Sequence, residues 1–69
     1  MKKFVIEKTK GNTETVVKTF DSKEEALAFG EELIKTMTRS EGILTCAYTD
    51  VDESGNKTSD SEQIFHVWS

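Results

Sequence analysis

Two residues of this chain have the chemistry of a nucleophile and a base, and there is one of each. Cys46 lies in an apolar run and His66 is the fourth residue from the end. On paired strands they could approach. A cysteine nucleophile needs a partly exposed thiolate and a third group to orient the imidazole, and no such group is apparent. Cys46 therefore reads as a small buried hydrophobe and His66 as a half-exposed strand residue. A second candidate is Asp50-Val51-Asp52-Glu53-Ser54-Gly55, which matches positions 1, 3, 5 and 6 of a calcium loop. The match then fails. Position 12 is Ser61, Glu62 comes one residue late, and position 8 is Lys57 where an apolar residue belongs. The expected flanks are strands instead of helices. This stretch reads as an acidic hairpin loop, with weak cation binding through Asp50, Asp52 and Asp60 as the alternative. No glycine-rich phosphate loop, paired-histidine motif or serine elbow is present. The chain is expected to have no catalytic, cofactor or metal residues and not to be an enzyme.

The elements that would position any site are legible from periodicity. Residues 2–9 are β-branched and aromatic, Gly11 and Asn12 supply turn chemistry, and residues 14–20 resume the strand pattern, which predicts a hairpin over 2–20. Ala26, Phe29, Leu33 and Met37 then recur at i, i+3, i+7 and i+11, with glutamates around the rest of the circumference, predicting an amphipathic helix over 22–38. Asp21 or Ser22 can cap its start, each with an acid three residues later, and Gly42 can close it. Gly30, beside the stripe, suggests a close approach of helix and sheet. Residues 43–51 and 62–68 pattern as a second strand pair, predicting a hairpin over 43–68 around a polar 52–61 loop with a mobile tip. The expected fold is α+β: a single β-β-α-β-β domain over 1–69, a four-stranded antiparallel sheet with one helix packed on one face. Strand order 2-1-3-4 is favoured over 2-1-4-3.

One helix covers one face, so the other is expected to be open. Alternation places Ile64, His66 and Trp68 on one side of the last strand and Phe65 and Val67 on the other. Aromatic area should then reach the open face, and Tyr48, His66 and Trp68 form the candidate interaction surface. The competing possibility is that Trp68 folds over the sheet edge as a lid.

Charge narrows the partners. The chain has 69 residues, 13 acids, 9 bases and a formal charge of −4. Residues 1–20 hold five lysines (Lys2, Lys3, Lys8, Lys10 and Lys18) against Glu7 and Glu14, and the remainder is acidic. Such a balance disfavours a phosphate backbone as partner. A nucleic-acid-associated regulator using those lysines, or an acidic protein occupying a nucleic-acid-binding surface, are the alternatives to a protein-binding or self-associating module. The N-terminus is too short in apolar residues for a signal core, and no run approaches the ~18 residues of a membrane span. With one free cysteine, this predicts a cytoplasmic protein. In size, in β-β-α-β-β order and in the Phe20-Asp21-Ser22-Lys23-Glu24-Glu25-Ala26 junction, the sequence resembles small acidic proteins of bacterial mobile elements such as conjugative transposons and phages. The resemblance implies no activity and transfers no functional residue.

Overall fold

A computed structural model describes residues 1–68, without the side chains of Arg39 and Asp60. It is a small α+β domain, an antiparallel curled sheet with one helix. Strands β1 (Lys2–Lys10) and β2 (Thr13–Phe20) are joined through Gly11 and Asn12. Gly11 has φ +62° and Asn12 has no positive φ, which is the pattern of a type II′ turn with glycine first. Helix α1 spans Lys23–Ile34, and strands β3 (Ile43–Val51) and β4 (Lys57–Trp68) follow a single 3-10 turn at Arg39–Glu41. The sheet order is β2-β1-β3-β4, every neighbour antiparallel.

The helix is shorter than its apolar stripe suggests. Ser22 is the N-cap in an extended conformation, contributing its carbonyl to the Ala26 N–H at 3.1 Å but no side-chain bond. At the other end the Leu33 carbonyl accepts from both the Thr36 N–H (3.0 Å) and the Thr36 hydroxyl (2.9 Å), and Met37 N–H bonds back three residues to Ile34. Threonine hydroxyls compete in this way for the carbonyl that the next helical turn would use, so the chain tightens after Ile34 instead of continuing to residue 38. Gly42, at φ +101°, follows the 3-10 turn and lies against the Thr9 carbonyl, where a side chain has no room.

Bulges decide which side chains share a face. In β2, Val17 has no partner, since Ile6 faces Lys18 and Glu7 faces Val16. In β4, Cys46 faces His66 but Ala47 faces Ile64, so Phe65 is an extra residue. One inserted residue reverses the alternation beyond it. Ile64 therefore parts from His66 and Trp68 and joins Val67, correcting the simple alternation expected for this strand. A larger irregularity lies between Glu62 and Lys57, where four β4 residues stand against Asp50 alone.

The main core lies between α1 and the sheet. Ile6, Ala26, Leu44, Cys46 and Trp68 are buried together, with Phe4, Phe20, Leu27, Phe29, Leu33, Ile34 and Met37 packed around them. Trp68 sits over Gly30: a Cβ there would fall 2.7 and 2.8 Å from Cζ3 and Cζ2 of the indole. The indole Nε1–H donates to Glu31 Oε1 at 3.0 Å. The close approach at Gly30 is thus between the helix and the last strand's tryptophan.

By alternation Val5, Glu7, Thr45, Ala47, Thr49 and Val51 point away from this core, yet all are buried. The second face is not open throughout. The sheet curls, and the tip of the β3–β4 hairpin turns back over it. The tip is a tight unit: Asp52 Oδ1 accepts from the N–H groups of Ser54 and Asn56 at 2.9 Å each, and Asp52 N–H donates to the Asn56 carbonyl at 2.9 Å. Gly55 (φ +86°) lies against the methyl of Thr19, on β2.

Candidate functional site

The residues singled out by type fall into separate places. Cys46 and His66 are cross-strand partners, but Cys46 is wholly buried and His66 is exposed. Burial pushes the Cys46 thiol above its ordinary value, and the nearby Lys23 charge only partly offsets this. The pair therefore supplies no activated thiolate. In the calcium-like loop, Asp52 Oδ1 is committed to closing its own turn, and Glu62 is paired to Lys57 at 3.3 Å. Bonds from the Asn56 backbone first, then those from Ser54 and Gly55, hold the Asp52 carboxyl below its usual range. Among the described residues no three histidine, cysteine or acidic side chains are grouped to hold a metal. The side chain of Asp60, the third cation candidate, lies outside the described set.

Tyr48, His66 and Trp68 do not lie on the uncovered face. Trp68 is buried against Gly30 and Glu31, and His66 packs edge-on against it with ring centroids 4.5 Å apart. Tyr48 is half-buried and stacks obliquely on Phe4 at 4.5 Å. Phe65 meets the same Phe4 at 5.6 Å. Tyr48, His66 and Trp68 share the face of Cys46 and Leu44, and the bulge brings Phe65 to that face beside His66.

The five lysines of the first hairpin have different partners. Lys3 is ion-paired with Asp21, Lys2 lies over the Tyr48 ring, and Lys18 lies over Phe20 and Phe29. Lys8 and Lys10 share a hollow of about 360 Å³ with Thr13, Thr15 and Glu41.

Two features emerge that residue type did not single out. The first is a charge cluster beneath the hairpin tip. Lys57 Nζ lies 2.6 Å from Glu7 Oε1, 3.2 Å from Glu14 Oε2 and 3.3 Å from Glu62 Oε2, joining the tip to β1, β2 and the body of β4. Glu7 is only 3% exposed, and its Oε1 has no further hydrogen-bond partner among the described residues. Three carboxylates around one ammonium leave a local charge of −2. Burial raises the Glu7 pKa, with Lys57 opposing and Glu62 and Glu14 reinforcing. Burial alone would lower that of Lys57, but its bonds to Glu7, Glu14 and Glu62 hold it well above the lysine range. A cleft of about 440 Å³ opens here, lined by Glu7, Glu14, Thr15, Val16, Asn56 and Lys57. It adjoins a second of about 300 Å³ between the tip and Val16–Thr19.

The second feature is an aliphatic strip on the part of the second face that the tip does not reach. Ile64 (54% exposed), Val67 (51%) and Ile43 (44%) border buried Thr45 and Ala47. Alternation along β3 puts Ile43 on the same face as Thr45 and Ala47. The rest was hidden by the Phe65 bulge, which no composition signal announces.

The chain matches no protein-family model, no curated protein and no solved structure in these comparisons. No helix among the described residues is long and apolar enough to cross a membrane.

Proposed function

We propose that this protein is a non-enzymatic binding or accessory module, a β-β-α-β-β unit whose helix covers one sheet face and whose strip Ile43, Ile64 and Val67 on the other meets a protein partner or a second copy. The observation that carries this is three aliphatic side chains, each about half exposed, on neighbouring positions of one sheet face. Contiguous exposed apolar surface on a small domain marks contact sites. The edges argue for docking on the face: β2 and β4 are both bulged, which blunts strand-to-strand addition. The engagement of Lys3 with Asp21, of Lys2 with Tyr48 and of Lys18 with Phe20 and Phe29 favours protein over nucleic acid as partner. A cytoplasmic setting suits the free Cys46.

The test is sedimentation equilibrium from micromolar to millimolar protein, together with affinity capture from the native cell, each for the wild type and for Ile64→Lys/Val67→Lys. Self-association or capture lost in the variant, with its circular dichroism unchanged, is the expected result. Binding that survives the variant, or its absence from the wild type in both assays, would remove the proposal.

A further inference from the structure

The hairpin tip is joined to the rest of the domain unusually thinly. Its own shape is self-contained, because Asp52 bonds Ser54 and Asn56 and Gly55 N–H donates to the Asp52 carbonyl at 3.0 Å. Across the gap to β1 and β2 it has the approach of Gly55 to the Thr19 methyl, 3.7 Å from where a Cβ would sit, and the ion pairs of Lys57 with Glu7 and Glu14. Between those contacts lie clefts of about 440 and 300 Å³ where a packed hairpin would have interlocked side chains. The β4 ladder is interrupted just behind the tip, between Lys57 and Glu62, so pairing along β4 does little to fix its angle. On the same sheet face Val5, Thr49 and Val51 are all 3% exposed or less.

We infer that the 52–57 tip is a strap over the second sheet face and that Lys57 is its latch: without the Lys57 charge the tip lifts from β2 as a unit while the helix side stays folded. The latch is electrostatic because packing is replaced by open clefts, and it binds three strands because one ammonium meets Glu7, Glu14 and Glu62. The helix side is independent of it. Trp68 is seated on Gly30 and Glu31, on the opposite face.

The test uses nuclear Overhauser contacts between the Gly55 α protons and the Thr19 methyl as the closed-strap signal, with Trp68 fluorescence reporting the helix side. Lys57→Met alone would strand the buried Glu7 carboxylate, a penalty large enough to threaten folding, so Lys57→Met/Glu7→Gln is the informative variant and Lys57→Arg the control. The expected result is loss of the contact in Lys57→Met/Glu7→Gln, its retention in Lys57→Arg, and wild-type Trp68 emission in both. Persistence of the contact without Lys57 would show that packing holds the tip. Loss of Trp68 burial together with the contact would show that tip and helix side are one unit. Either would overturn the inference.

Discussion

Gly30→Ala is the most discriminating single substitution, because two opposing effects of known size meet at one atom. On an isolated helix the change would stabilise by ~1 kcal/mol. Here the new Cβ would lie 2.7–2.8 Å from Cζ3 and Cζ2 of Trp68, and ordinary carbon contact needs ~3.5–4 Å. The ring must retreat by about an ångström into a core filled by Ile6, Leu44 and Cys46, all wholly buried. Overpacking of that kind costs ~1–3 kcal/mol. The retreat also stretches the 3.0 Å bond to Glu31, worth ~1 kcal/mol. The balance is a net loss of ~1–3 kcal/mol, or roughly 4–24 °C in Tm for a domain of this size. Urea unfolding followed by far-ultraviolet circular dichroism measures it. The same substitution in a Trp68→Leu background should turn neutral or stabilising, since the ring it strikes is gone. A neutral or stabilising Gly30→Ala in the wild-type background would refute the seating of Trp68 on the helix.

Three further outcomes follow from the same geometry. Because the folded-state pKa of Glu7 is raised by burial, the native state binds that proton more tightly. Stability should therefore rise as pH falls through the Glu7 value toward the ordinary 4.5, then decline at lower pH as Asp52, whose pKa is lowered from 3.8, takes up its proton; in Glu7→Gln the rise should vanish, and urea titrations across this range read both. Gly42→Ala forces an L residue to φ +101° and drives its methyl onto the Thr9 carbonyl, so a loss of ~1–3 kcal/mol is expected from the same urea assay. Cys46 should react with an aromatic disulfide reagent only at the rate of opening, and fast labelling of the native protein would show that the thiol is not buried.

What was legible in the sequence was whatever repeats with a period. The stripe Ala26, Phe29, Leu33 and Met37 marked the helix, the β-branched runs marked an antiparallel sheet, and Gly11 marked the first turn. Irregularities were not legible, and they decide the candidate site. A bulge is one residue without a partner, so Phe65 looks like any strand residue, yet it sends Ile64 to one face and Trp68 to the other. The helix end depended on Thr36 competing for one carbonyl. Glu7 and Glu14 lie far in sequence from Lys57 and Glu62, and the two pairs meet only because the sheet curls and the tip returns. Pairwise spacing carries no trace of that.

The central claim is that the second sheet face is divided, roofed by the hairpin tip at one end and bare at the aliphatic strip. Methyl relaxation in the presence of a soluble neutral paramagnetic agent tests it directly. The methyls of Ile43, Ile64 and Val67 should broaden strongly while those of Val5, Ala47 and Val51 stay sharp. Equal broadening of the two sets would mean that the tip does not cover the face, and protection of Ile64 and Val67 in the monomer would mean that the strip is not exposed.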